Sequence, residues 1–311
     1  MEKKRPRILL VSAEAYPFNG SGPGEAAMQH LPEAIAREGF DVSLVLPKYR
    51  RPAITALEAA PILKGLPVPL GPNKVPATIS RVEAPVCPAD LCDAHVVSEA
   101  PPRRFPVYFV ENAKYFDRER IYGSANTPYL DNDERFTFFC RAVLEFLRKA
   151  KISVDLIHCH DWPTSLIPLF LRTSYGSRGP FRKTVSVLTV HDPAVQGDFP
   201  PESFALTGLN WDLFSPEKLA VNGRFNFLNA GFRYADSLKA GSPEVVDVVR
   251  DEETGRDLAA VLDRRRAEAA QREAAGKSDG RFDFLAPHSL REYAGLYRHL
   301  MEFSRGGSHV R

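Results

Sequence analysis

The sequence predicts an α/β protein: one parallel sheet flanked by helices, with further helices at the carboxyl end. Three observations carry this. Ile8–Val11 is a short apolar run that leads into a Gly/Pro/Asn loop, Pro17–Gly24. A helical pattern from Glu25 to Glu38 follows, and then a second apolar run, Val42–Leu46. Strand, loop, helix and strand in that order form a βαβ unit, whose crossover makes the two strands parallel. The same alternation returns later, with Leu156–Cys159 and Thr184–Val190 as strands around a helix at Thr164–Arg172.

The remaining elements follow from period and punctuation. Met28, Leu31, Ile35 and Ala36 lie at helical spacing, and Gly39 stands just past the helix end. Pro47 closes the second strand. Residues 51–105 are rich in Pro and Ala and read as a hairpin-like insertion before a strand at Val107–Val110. Asn132–Ala150 is a helix with Phe136, Phe139, Cys140, Val143, Leu144 and Leu147 on one side. Leu219–Tyr234 reads as a helix, against which Asn222 and Gly223 count at its start, and Leu238–Ala240 as a last short strand.

Beyond Asp251 the character changes. Asp257–Lys277 is a charged, Ala-rich helix with Leu258, Val261 and Leu262 on one face, and Lys277–Gly280 is a break. Ser289–Phe303 is amphipathic, with Leu290, Tyr293, Ala294, Tyr297, Leu300 and Met301 on its apolar face. The tail Gly306–Arg311 is expected to be disordered. The expected organisation is one domain over residues 1–250, a helical linker over 251–280, and a terminal helix with its tail over 281–311.

Composition narrows the function. The 311 residues are 44% hydrophobic and 26% charged, which suits a soluble globular chain. Lys and Arg number 41 against 39 Asp and Glu, a net charge of +2, so no nucleic-acid partner is implied. No apolar run reaches the roughly 18 residues of a membrane span. The basic start leads through a short apolar run into Glu14 and reads as a first strand, not a signal peptide. Cys87, Cys92, Cys140 and Cys159 lack the secretory context of a disulfide framework. A reduced, cytoplasmic protein is expected.

Four groups of residues could carry chemistry. The loop Asn19-Gly20-Ser21-Gly22-Pro23-Gly24-Glu25 joins the first strand to the first helix, where backbone N–H groups suit a phosphate or sugar; it also reads as a plain turn. Pro23 removes a donor and Glu25 adds negative charge, both unfavourable to a pyrophosphate cradle. His158-Cys159-His160-Asp161-Trp162 lies at the carboxyl end of a strand, where open α/β sheets bind ligands. Strand alternation points His158 and His160 to one face. His160 and Asp161 suit a sugar hydroxyl, and Trp162 suits stacking on the sugar or packing below it; a structural histidine held by a carboxylate is the alternative. Adjacent residues on a strand cannot converge on a tetrahedral ion, so no metal is expected. His191-Asp192, with Gln196-Gly197 behind, forms a third group. The fourth is Tyr129-Leu130-Asp131-Asn132, where helix capping by Asp131 or Asn132 competes with substrate contact.

Together these segments resemble the amino-terminal catalytic domain of bacterial glycogen synthases and plant starch synthases. The stretches are Ile8–Phe18 (ILLVSAEAYPF), Leu31–Tyr49, Val107–Gly123, Asp131–Phe139 (DNDERFTFF), Asp155–Trp162 (DLIHCHDW), Thr189–Leu209 and Gly223–Asp236. The resemblance implies the Rossmann-like amino-terminal half of a two-domain retaining glucosyltransferase. Such an enzyme moves glucose from ADP-glucose or UDP-glucose to an α-1,4-glucan without a metal or other cofactor. It implies His160 and Asp131 as catalytic residues, and Asn19, Gly20, Gly22, Asp161, Trp162, His191 and Gln196 as substrate-binding ones. Two departures stand out: Asn19 and Asn229 occupy positions where the family pattern has lysine. After Ser242-Pro243 the pattern leads one to expect roughly 200 residues of a second such domain. Ser289–Leu300 (SLREYAGLYRHL) resembles the family's last helix, which packs back on the first domain. An internal loss of the second domain is therefore expected. The chain is expected to be weak or inactive alone, completed by a separate carboxyl-terminal domain or a complete synthase. The alternative is a non-catalytic glucan-binding or regulatory partner of such a synthase.

Overall fold

The structure, a computed structural model, describes residues 5–18, 23–85, 103–124, 127–176, 179–251, 256–274, 284, 286, 287 and 289–306. Cys87, Cys92, the Lys277–Gly280 break and the tail after Gly306 lie outside these residues. The principal elements are β1 (Arg7–Val11), α1 (Pro23–Arg37), β2 (Asp41–Pro47), β3 (Ala60–Leu70), β4 (Asn73–Pro85), β5 (Arg104–Glu111) and α2 (Asn132–Lys149). They continue with β6 (Leu156–His160), β7 (Val185–Val190), α3 (Phe227–Tyr234), β8 (Ser237–Ala240), α4 (Pro243–Arg250), α5 (Arg256–Ala274) and α6 (Leu290–Gly306).

These strands form one sheet in the order β8-β7-β6-β1-β2-β5-β4-β3. The strands from β8 to β5 are parallel, and the β3–β4 hairpin adds two antiparallel strands at one edge. β1, β6 and β7 are buried along nearly their whole length, as strands covered on both faces must be. Pro61, Pro67 and Pro69 sit in β3, the edge strand, where missing main-chain donors do least harm. The chain runs from β1 outward to β2, then returns to the other side of β1 to lay down β6. The order therefore reverses between β1 and β6, and the crevice beyond their carboxyl ends is where such sheets receive ligands.

Three expectations are corrected, and one element is added. Leu219–Tyr234 is not one helix: Ala220–Val221 and Arg224–Asn226 form a small hairpin, and only Phe227–Tyr234 is helical. Asn222 and Gly223 both have positive φ, the conformation of a two-residue Asn-Gly hairpin turn. The segment expected as a helix at Thr164–Arg172 is a 3₁₀ turn at Trp162–Thr164, a short helix at Leu166–Phe170 and a widened turn at Leu171–Tyr175. α2 is not amphipathic in place: Arg135, Arg141 and Glu145 are buried along with its apolar residues. The hairpin strand β3 packs on it from one side and the 3₁₀ segment Pro201–Thr207 from another. Finally α4, which the sequence did not announce, buries Val245, Val246 and Val249.

The charged helix α5 docks on the domain. Leu258, Val261 and Leu262 are buried, and Arg265 donates to the carbonyls of Phe232 and Ala235 at the end of α3. α6 turns its expected face inward: Tyr293, Ala294, Tyr297, Leu300 and Met301 are buried against α1 and β7. Tyr297 meets Phe40 edge to face, and Arg298 covers the same ring. Cys140 and Cys159 are buried free thiols. Among the described residues no helix is long and apolar enough to cross a membrane.

Candidate functional site

Register fixes what meets at the crevice. Val11 pairs with Cys159, and His160 with Thr189, so β1, β6 and β7 end at one level. The chain leaves β1 there toward the loop that holds Asn19, Gly20 and Gly22, three site candidates that lie outside the described residues. His158 and His160 share a face, as alternation predicted, with ring centroids 4.2 Å apart. His191, just past β7, lies edge to edge with His160: His160 Nδ1 is 3.0 Å from His191 Nε2 and the rings are coplanar within 3°. His160 is 1% exposed, and its Nε2 has no hydrogen-bond partner among the described residues. Burial, then the neighbouring His158 and His191, holds its pKa well below the usual imidazole range, so the ring is neutral at pH 7.

Asp161 holds the arrangement together. Its backbone sits at φ 59°, ψ −178°, a region almost reserved for glycine and costing about 1–3 kcal/mol. The surroundings over-determine it. Its N–H donates to the Thr189 carbonyl, its own carbonyl accepts from the Thr164 and Ser165 hydroxyls, and its carboxylate accepts from the N–H groups of His191 and Asp192. Asp161 thus ties the loop after β6 to the loop after β7 and delivers His191 to His160. Burial pushes its carboxyl up, against the opposing His191 and the two N–H donors. Gly241 leaves room for the same ring, since a Cβ there would lie 2.3 Å from His191 Nδ1.

Trp162 packs below the site. It is 5% exposed, packed among Tyr122, Phe136, Phe199 and Phe227. Gly197 lies flat on it: its φ is +63° and a Cβ would come within 2.4 Å of the indole. Gln196 is used structurally. Its carbonyl accepts from Leu228, its side chain accepts from Asn226, and the Gly197 carbonyl accepts from Phe227, which together start α3.

Asp131 belongs to a second cluster. Its carboxylate receives a two-pronged bond from Arg118, at 2.8 and 2.6 Å, and engages neither histidine. It stands at the N-cap position of α2 but makes no side-chain cap bond; Asn132 bonds instead to the Tyr122 carbonyl and to Arg135. Partial burial pushes the Asp131 carboxyl up, but Arg118 and Arg135 outweigh it and hold it below the usual carboxylate range. Both guanidinium groups lie over the Tyr129 ring. Sequence reasoning missed Arg118, Arg135 and Thr189. The first two lie within the family-like stretches Val107–Gly123 and Asp131–Phe139 but nothing local sets them apart, and Thr189 is one β-branched residue among several in a strand.

Known proteins match both the sequence and the fold. The family model for the starch synthase catalytic domain matches residues 7–264. The chain is 36% identical over 263 residues to a glycogen synthase of Thermodesulfovibrio yellowstonii, covering 84% of this chain and 52% of that protein. It is 35% identical over 259 residues to glycogen synthase 2 of Geobacter sulfurreducens, covering 83% and 50%. In fold it is similar to the catalytic domain of starch synthase IV from Arabidopsis thaliana, solved with ADP and acarbose. The TM-score is 0.67 at 23% identity, over 84% of this chain and 50% of that one. The chain thus spans about half the length of the curated relatives it matches. The chain belongs to the starch/glycogen synthase family and carries that family's amino-terminal α/β domain.

Proposed function

We propose that this chain is the glucan-binding half of a retaining glucosyltransferase that extends α-1,4-glucan from ADP-glucose or UDP-glucose. On this reading it is weak or inactive without a nucleotide-binding half, supplied by a separate domain or a complete synthase. The observation that carries the reading is His160 Nε2: a neutral, buried ring nitrogen without a hydrogen-bond partner among the described residues, at the switch point of the sheet. Such a group hydrogen-bonds a sugar hydroxyl without placing charge beside it. His191 and Asp161 hold it in place, Trp162 and Gln196 support the loops behind, and the Asp131–Arg118 pair sets charge at the start of α2. Asn19, Gly20 and Gly22 follow β1 in sequence and complete the proposed substrate-binding set.

Transfer also needs fixed cations around the leaving diphosphate, worth about 2.7–4 kcal/mol for each well-placed donor. Asn19 is neutral where the resemblance implies lysine. So is Asn229, which is buried and tied to Asn226 and Arg233. This favours dependence on a partner. It also supports a second reading, a non-catalytic glucan-binding or regulatory partner of a complete synthase. The free thiols of Cys140 and Cys159 agree with a cytoplasmic setting.

The test is transfer of labelled glucose from ADP-glucose onto glycogen, by the chain alone and with a separately expressed nucleotide-binding half of a relative. We expect at most trace turnover alone and restored turnover with the added half, lost about 10²–10⁴-fold on His160→Ala. Glycogen co-sedimentation without restored turnover selects the second reading. Robust turnover by the isolated chain refutes the dependence.

A further inference from the structure

The terminal helix α6 reaches the histidines through two tyrosines. His158 is fully buried, with Nδ1 2.5 Å from the Tyr297 hydroxyl and Nε2 2.7 Å from Thr189 Oγ1. Thr189 Oγ1 is in turn 3.0 Å from the Tyr293 hydroxyl. Burial, with a smaller effect of His191, holds the His158 pKa down to about 3, so the ring carries a single N–H at neutral pH.

The hydrogens in this chain of groups can be placed by elimination. Tyr297, His158, Thr189 and Tyr293 each bring one, and only three bonds link them. One hydrogen is therefore left over, and a buried donor without a partner costs about 1–3 kcal/mol. It is cheapest where some exposure remains. Tyr293 is 5% exposed, and Tyr297 is not exposed at all. If His158 Nδ1–H donated to Tyr297, the leftover hydrogen would be that of the Tyr297 hydroxyl, in the driest position. If Tyr297 donates to Nδ1, then Nε2–H donates to Thr189, and Thr189 is free to donate in turn to Tyr293, which leaves the spare hydrogen on Tyr293.

We infer that Tyr297 is a positioning residue of the histidine site: it donates to Nδ1 of His158 and fixes that ring as the Nε2–H tautomer, the rigid support on which His160 lies. The physical consequence is direct. A ring bonded at both nitrogens cannot rotate, and His160 is then confined between it and His191. The site at the end of β6 is completed by a helix that enters about 130 residues later in the chain. Its bearing on glucosyl transfer rests on the function proposed above; its test does not, because the readout is the ring itself.

The experiment is ¹⁵N NMR of the full chain labelled at histidine, correlating ring nitrogens with carbon-bound ring protons, with His158 assigned by its loss in His158→Gln. We expect a protonated Nε2 and an unprotonated, hydrogen-bonded Nδ1 for His158, unchanged from pH 8 to pH 5. Tyr297→Phe should replace this single-tautomer pattern with averaged shifts and move the His160 signals. Tyr293→Phe removes the hydroxyl that carries the spare hydrogen and should bring some of the Nδ1–H form into the His158 pattern. A protonated Nδ1 in the unmodified protein overturns the inference whether or not either variant folds. So does a folded Tyr297→Phe protein whose His158 and His160 signals do not move.

Discussion

The two clusters that the motifs singled out are in opposite physical states. At the end of β6 three imidazoles lie close together, and His158 and His160 are buried and neutral, held by hydroxyls and by each other. Before α2, Asp131 and Arg118 are fully charged, about a quarter exposed, and joined by an ion pair. Proton positions decide the first cluster and Coulomb attraction the second. A neutral ring in a dry site can share or exchange a hydrogen bond with a substrate at little cost, whereas the Asp131 carboxylate is already engaged and must be released first. On that contrast, under the function proposed above, His160 is the better candidate for direct contact with substrate, and Asp131 for shaping the start of α2.

The largest test of the contrast is removal of α6. Deleting residues 281–311 strips away the buried Tyr293, Tyr297, Leu300 and Met301. At about 1.5–3 kcal/mol for each large apolar side chain, the upper bound approaches the whole stability of a domain. We expect the cooperative melting transition to be lost or to fall by more than about 10 °C. An unchanged midpoint would mean that the histidine cluster stands without the helix.

A medium effect separates the clusters by pH. The folded His158 pKa is about 3, and His160 is shifted in the same direction, while an unfolded histidine titrates near 6.5. As pH falls below 6.5 the unfolded chain binds protons that these folded rings refuse, so stability drops by up to about 1.4 kcal/mol per pH unit for each ring. That stabilisation is fully present above the unfolded pKa and is lost on the way down toward pH 3. Asp161, raised by burial, works in the opposite direction and offsets part of the loss at the acid end. Asp131 is lowered, so its contribution holds above its unfolded pKa and disappears only below about pH 4. Urea midpoints between pH 7.5 and 4.5 should therefore fall, with a shallower slope in His158→Gln. An identical slope in that variant would place the loss elsewhere.

The smallest effect is expected at the ion pair. Asp131→Asn removes the Arg118 fork, but both groups are partly solvated, so the loss should be under about 1 kcal/mol at pH 7. A loss of several kcal/mol in chemical denaturation would make this cluster structural and erase the contrast.

Much of this was legible in advance, because the signals are local. Strand alternation put His158 and His160 on one face, and the βαβ order placed them at the carboxyl edge of a parallel sheet. The apolar stripe of the terminal helix was read residue by residue. Other features were misread for equally definite reasons. Asn222-Gly223 was weighed as a weak helix start, when its backbone preference is for a hairpin turn. α2 looked amphipathic because its buried Arg135, Arg141 and Glu145 are polar by type. Their partners, among them the Ile121 and Thr207 carbonyls and the Tyr175 hydroxyl, come from segments remote in sequence.

The sequence by itself determined the parallel core of the sheet and pointed to the carboxyl end of its strands as the candidate site, since period and turn residues are properties of short windows. Only the tertiary structure decided the protonation and partners of the site. Burial makes His158 neutral, and the bonds that fix its ring come from Thr189 and Tyr297, 31 and 139 residues away. Desolvation and hydrogen-bond pairing depend on what the fold brings together, and no local pattern encodes them.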